Sequence, residues 1–286
     1  MGQKGSRRSS GEGKSGSEDH SFGSHYFEED TCEDEEEFEV ELKRNVRRLT
    51  AYAQSADCEL QRQVAETLAN HAVRASRQRL IVENGGLELL LPLTESEDGE
   101  VRRLAAHALA NLSVDETNQV TMAKEGGIEM IITLLRNSNQ SDHTLRQAAK
   151  ALANLGVNLE NKVLISKKGA IPYLIRLLVT SPDAVKIEAA AALANLAVDD
   201  KNEALIGTEG GLEPLLESLT SVNVDLVCQA CRALRNLSVN ASNRKLLLEL
   251  NAPKTLNETL TFFECDAIRA QISRTLTNLS VSHNKK

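Results

Sequence analysis

Ala108-Leu109-Ala110-Asn111-Leu112 and Ala151-Leu152-Ala153-Asn154-Leu155 are two copies of one phrase, and that phrase decides the fold. Four further copies stand at Thr67-Leu68-Ala69-Asn70-His71, Ala192-Leu193-Ala194-Asn195-Leu196, Ala233-Leu234-Arg235-Asn236-Leu237 and Thr275-Leu276-Thr277-Asn278-Leu279. Consecutive asparagines are 41, 43, 41, 41 and 42 residues apart. So regular a period marks a repeat array, a one-dimensional stack in which each unit packs only on its neighbours. Such a stack presents a long surface, and its first use is binding.

Other landmarks keep the same period. A second asparagine follows the first by seven residues in four copies, at Asn118, Asn161, Asn202 and Asn243. Next comes a glycine pair or its relic: Gly85-Gly86, Gly126-Gly127, Gly169-Ala170, Gly210-Gly211 and Asn251-Ala252. Gly and Asn tolerate the left-handed conformation that ends a helix, so each pair marks a break between two helices. An apolar stretch, a polar turn and a long Ala-rich segment ending in the phrase follow. Each unit therefore reads as three helices: short, medium and long.

These features together resemble the armadillo repeat family over residues 42–281. A HEAT array, with two helices and no Gly-Gly step, is the near neighbour. The resemblance implies an all-α, right-handed superhelical solenoid whose long third helices line a concave groove. The expected units are 1–36 as a disordered leader, 37–73 as a partial N-terminal cap, 74–114, 115–157, 158–198 and 199–239 as repeats, and 240–286 as the last repeat and tail. The polar Asn257, Glu258 and Thr259 fit a terminal capping repeat.

Composition agrees with the array. Aromatics are 3 % with no Trp, so Leu and Ala must carry the core. Ala105-Ala106, Ala148-Ala149 and Ala189-Ala190 let helices approach closely. Five cysteines, an odd number without a signal peptide, argue against a disulfide framework. Cys228 and Cys231 form a lone C-x-x-C, and a metal site of that spacing needs a second pair. No metal or cofactor is expected, and no phosphate loop, nucleophile elbow or Cys/His constellation points to an enzyme. The Asn111, Asn236 and Asn278 sequons are accidents of the phrase.

Charge divides the chain. Residues 1–41 carry 4 basic and 13 acidic side chains, whereas 42–286 carry 29 and 28. The near-neutral array has few aromatics for stacking on bases, which excludes nucleic acid as a partner. The Gly/Ser-rich, acidic leader cannot bury enough apolar surface to fold alone. Its start, Met1-Gly2-Gln3-Lys4-Gly5-Ser6, fits the pattern for myristoylation of Gly2. A single acyl chain binds a membrane weakly, and Lys4, Arg7 and Arg8 supply a second signal on an anionic leaflet. Ser9 and Ser10 follow two arginines as candidate phosphorylation sites, where phosphate would cancel that charge. The other reading is an unmodified start.

Counting back from each phrase asparagine along its helix defines a face. In proteins of the armadillo family the matching asparagine bonds the backbone of an extended peptide. The resemblance carries that role onto Asn70, Asn111, Asn154, Asn195, Asn236 and Asn278; the other reading is that each caps its own helix. Four residues back stand Glu66, His107, Lys150, Ala191, Arg232 and Arg274; eight back stand Arg62, Arg103, Arg146, Ile187, Cys228 and Ala270. Six Lys or Arg against one Glu favour an acidic protein ligand, as in beta-catenin-like grooves, while Glu59, Glu100 and Asp225, eleven back, oppose it or answer the dipole at their helix N-termini. The acidic leader, tethered to those rows, is a candidate intramolecular ligand near Arg62, Arg103, Arg146 and Lys150. Nuclear-transport adaptors of this fold carry Trp in the nearer row, which this chain lacks. The expected protein is a non-catalytic scaffold in the cytoplasm, resembling small myristoylated armadillo-only scaffolds but without their N-terminal cysteines. The alternative is a soluble cargo or cytoskeletal adaptor, because some kinesin tails share phrases such as Asn111-Leu112-Ser113-Val114.

Overall fold

The computed structural model describes residues 32–137 and 139–281; the expectations on Gly2, Lys4, Arg7, Arg8, Ser9, Ser10 and the acidic residues before Thr31 lie outside them. The described residues form seventeen helices and no strand. α1 (Cys32–Ala53) and α2 (Cys58–Ala72) open the array. Five sets of three follow: α3 (Ala75–Glu83), α4 (Gly86–Thr94), α5 (Gly99–Leu112); α6 (Glu116–Lys124), α7 (Gly127–Arg136), α8 (Asp142–Leu155); α9 (Leu159–Lys167), α10 (Ile171–Thr180), α11 (Asp183–Leu196); α12 (Asp200–Thr208), α13 (Leu212–Ser218), α14 (Val224–Leu237); and α15 (Ala241–Glu249), α16 (Ala252–Phe262), α17 (Asp266–Ser280).

The long helices α2, α5, α8, α11, α14 and α17 each end in the phrase, and each packs on the next. Four of the six, α2, α5, α8 and α14, start at a short polar side chain that caps them. Asp57, Asp98, Ser141 and Asn223 accept first-turn N–H groups that would otherwise lack partners. Along the helix the leucines Leu109, Leu152, Leu193 and Leu234 are fully buried, as are the paired alanines. Each buried leucine contributes roughly 1.5–3 kcal/mol, while the alanines keep neighbouring axes close. In the last unit Asn257 and Glu258 face solvent, but Thr259 is buried, with its hydroxyl donating to the Thr255 carbonyl.

The break after each first helix is a left-handed residue. Gly126 sits at φ 87° between α6 and α7, and Asn251, the only non-glycine described with positive φ, makes the equivalent turn at 56°. Gly126→Ala is expected to cost about 1–2 kcal/mol, since an L side chain in this region crowds the following carbonyl. Chemical denaturation of the two proteins would show it; an unchanged midpoint would refute the assignment.

The second asparagine row explains how units are held in register. Asn118, Asn161, Asn202 and Asn243 are all buried. Each takes its backbone N–H to the cap residue three positions earlier, namely Asp115, Asn158, Asp199 and Asn240. Each side-chain amide then reaches back one unit. Asn118 donates to the Gln78 carbonyl at 2.9 Å, Asn161 to Gln119 at 3.0 Å, Asn202 to Lys162 at 3.0 Å and Asn243 to Glu203 at 2.9 Å. The result is a ladder of buried amides joining successive first helices.

Arg77 occupies the ladder position of the first unit and has no earlier first helix to reach. It turns instead to α1. Its guanidinium lies 4.5 Å over the Phe38 ring, Nε lies 3.4 Å from Glu35, and Nη1 donates to His71 Nδ1 at 2.7 Å. The His71 ring lies 4.6 Å from the Phe38 ring, centroid to centroid, tilted at 41° to it. These contacts dock α1 on the array. The helix consequently begins at Cys32, inside the stretch expected to be a disordered leader to residue 36. Local composition indicated disorder there; burial of Phe38 and the pairing of Glu35 overrule it.

Candidate functional site: the face of the third helices

The phrase asparagines lie along one face of the stacked long helices. They are half-buried except Asn70, which is exposed. Asn154 donates to the Ala110 carbonyl at 3.4 Å and to Ser113 Oγ at 3.1 Å. Asn195 donates to Ala153 at 2.7 Å, Asn236 to Ala194 at 2.8 Å, and Asn278 to Ser238 Oγ at 2.9 Å. These carbonyls lie in the last turn of the preceding long helix, where no intrahelical N–H is available. The contact reaches the preceding long helix, not the asparagine's own helix end. Asn195, Asn236 and Asn278 each spend one of their two amide N–H donors on the preceding unit, and Asn154 makes two such bonds. Asn111 instead contacts His107 Nε2 at 3.2 Å.

The cationic rows divide by position. Arg62 bonds Glu59 at 3.0 Å and Asp98 at 2.6 Å. Arg103 Nε donates to Glu100 at 2.7 Å, and Arg146 lies 3.5 Å from Glu188. These pairs hold the Asp98 and Glu100 carboxyls below the usual range, Asp98 chiefly through the Glu100 N–H and then Arg62, and Glu100 chiefly through Arg103. Burial lowers the pKa of His107, with His143 beside it, 6.4 Å between ring centroids. The expected basic surface at the N-terminal end is therefore largely neutralised. Asp98 arrives from the cap of the next unit and Glu188 from the next long helix, positions outside the two counted rows.

The opposite end differs. Arg232 donates to the Ala191 carbonyl at 3.2 Å and to Asn195 Oδ1 at 3.0 Å. Arg235 places Nε and Nη2 on Asn236 Oδ1 at 3.1 and 2.8 Å. Arg274 is exposed. Among the described residues no carboxylate pairs with any of these three. Arg235, Asn236, Val239, Arg274, Thr277 and Asn278 line a cleft of about 300 Å³ between α14 and α17.

The family model for the plant U-box protein ARM repeat region matches residues 87–281. The chain belongs to this armadillo-repeat family. An engineered protein of known structure is 31 % identical, with a TM-score of 0.75 over 85 % of this chain and 97 % of its own. A computationally designed armadillo repeat protein for modular peptide recognition is 24 % identical, with a TM-score of 0.72 over 81 % and 98 %. A third, a designed armadillo repeat protein in complex with the peptide (KR)4, is 22 % identical, with a TM-score of 0.71 over 81 % and 98 %. No curated protein matches the chain.

The armadillo face carries one row that the sequence reading passed over. Val73, Val114, Val157, Val198, Val239 and Val281 stand three residues after each phrase asparagine, and each is more than half exposed. Their signal was present, since valine recurs there in all six units. Val239 places this row beside the asparagine row, on the wall of the C-terminal cleft. Cys58, Cys228, Cys231 and Cys265 are free thiols, and burial pushes the Cys231 thiol up to about 12. Burial, reinforced by Cys265, also raises Cys228. Both remain protonated at neutral pH, so neither is an activated nucleophile.

Proposed function

We propose that this armadillo chain is a non-catalytic scaffold that binds an extended, acidic segment of a partner protein along its third-helix face. The observation that carries the reading is the charge of that face: its arginines are matched by carboxylates at one end and unmatched at the other. The amide oxygens of Asn154 and Asn278 stay available as acceptors for peptide N–H groups while their NH2 groups hold the neighbouring unit. The valine row offers apolar contact alongside them. The designed relative that holds (KR)4 takes a basic peptide; here the unpaired charge has the sign that suits an acidic one.

The second half of the proposal is a tether. Gly2 carries a myristoyl group, Lys4, Arg7 and Arg8 support it, and the scaffold works on the cytoplasmic face of a membrane. No described helix is long and apolar enough to cross a membrane, so attachment would depend on that acyl group. Ser9 or Ser10 phosphorylation would loosen it, and the acidic leader would compete with the partner for the groove. A soluble cargo or cytoskeletal adaptor is the rival reading.

Incorporation of a myristate analogue into wild-type and Gly2→Ala protein in cells, with fractionation of both, separates them. The expected result is label and membrane association lost together in Gly2→Ala. An unlabelled wild type would remove the tether and leave a soluble adaptor. The groove half is tested by binding of acidic and basic peptide pools: preference for the basic pool would overturn it.

A further inference from the structure

We infer that the cleft between α14 and α17 is a subsite for a phosphorylated side chain, a phosphoserine or phosphothreonine of the bound segment. The inference rests on the third-helix face being the peptide-binding face, and it names the chemistry recognised at one place on it.

Three observations converge there. Arg235 and Arg274 reach the same cleft from two different helices. A planar carboxylate satisfies one guanidinium fork, whereas a phosphoryl group has three terminal oxygens arranged in space and can accept from two forks at once. Secondly, the charge is uncompensated. Arg235 spends two N–H bonds on a single neutral acceptor, Asn236 Oδ1, which leaves donors free, and Arg274 has no carboxylate partner among the described residues. Thirdly, Arg232, three residues before Arg235 on α14 and outside the cleft lining, is half-buried, and its Nε is buried without any hydrogen-bond acceptor. A guanidinium held out of water with an orphaned N–H is a cost unless an anion completes the site. Burial, together with the neighbouring Arg235 charge, lowers the Arg232 pKa, as expected for cations crowded without an anion. A group bearing close to two negative charges answers this excess better than a single carboxylate does.

The surroundings suit a side chain at the end of a peptide rather than a lipid surface. Val239 supplies an apolar wall for the carbon atoms next to the phosphate. Thr277 Oγ1 donates to the Ser273 carbonyl, and Asn278 Nδ2 to Ser238 Oγ, so the walls are held in place before a ligand arrives. The six valines run along the stack as a row and extend the contact to the rest of a segment.

The test uses the full chain and three fluorescent degenerate peptide pools, alike except for a central phosphoserine, glutamate or serine. Anisotropy should show the phosphoserine pool bound at least tenfold more tightly than the serine pool and several-fold more tightly than the glutamate pool. Arg235→Gln and Arg274→Gln should each weaken phosphoserine binding about fivefold, and the pair should abolish the preference. Lys245→Gln, on the exposed side of α15, should leave it intact. Circular dichroism confirms that each variant keeps its fold. Equal binding of the phosphoserine and glutamate pools, both above serine, would overturn the subsite while leaving the acidic groove standing. Binding of none of the pools would overturn both. A phosphoserine preference that survives the double variant would place the phosphate elsewhere. Vesicles containing phosphatidylserine or a phosphoinositide form the last arm: binding to these that depends on Arg235 and Arg274, without phosphopeptide preference, would refute the inference in favour of a lipid headgroup.

Discussion

Asn202→Asp is expected to destabilise the array by about 3 kcal/mol at neutral pH, well beyond the roughly 1–2 kcal/mol expected for Asn202→Ala. The substitution changes almost no volume. It replaces the amide N–H that donates to the Lys162 carbonyl with a second oxygen, so two acceptors face each other in a buried site. It also sets a carboxylate beside Asp199, which already caps the Asn202 backbone N–H. Burial and that neighbour would raise the folded pKa of the new carboxyl above its unfolded value. The deficit should therefore be full above the folded pKa and shrink as pH falls through it, because the protonated acid can again donate. Urea unfolding of wild type, Asn202→Ala and Asn202→Asp at pH 7 and pH 5 would show this. Because each unit contacts only its neighbours, a weakened interface in mid-stack should also broaden the transition or divide it in two. If aspartate proved no worse than alanine at pH 7, the ladder bond would have no energetic role.

His71→Leu is expected to remove a pH dependence centred on the docking of α1. Burial first, then the charges of Arg77 and Arg74, lowers the His71 pKa from 6.5 to about 4. Arg77 donates to Nδ1, so the neutral ring carries its proton on Nε2, and protonating Nδ1 would break that contact. The unfolded chain takes up the proton first on acidification. Between pH 6.5 and about 4 it thus binds more protons than the fold, and stability falls with falling pH. The full effect is about 3 kcal/mol, at roughly 1.4 kcal/mol per pH unit. Leucine is what the other five phrases carry at this point. His71→Leu should flatten the urea midpoint between pH 7 and pH 4.5 relative to wild type. Identical slopes for the two proteins would show that His71 is not the titrating group.

Asn118, Asn161, Asn202 and Asn243 were visible as a second periodic landmark, but not as a ladder. Their partner carbonyls lie 40 to 42 residues earlier, and a carbonyl has no residue signature. Docking of α1 was invisible for a similar reason. Glu35 falls in the acidic run expected as leader, and only the approach of Arg77 distinguishes it from solvated chain, while Phe38 opens the expected cap. The candidate groove shows the same division. The arginines of α2, α5 and α8 were countable along their own helices, whereas the carboxylates that neutralise them come partly from adjacent units.

By itself, the sequence of this protein determined the unit, its period and the order of its helices. Those depend on local properties: helical spacing of Leu and Ala, polar caps, and a left-handed turn that Gly or Asn alone adopts readily. Only the tertiary structure decided which charges are paired, which amides are already committed, and which face retains unsatisfied cations. The deciding contacts, such as Arg62 with Asp98 and Arg146 with Glu188, join residues some forty positions apart. A one-dimensional stack repeats such contacts faithfully, but their partners become visible only when the units are laid against one another.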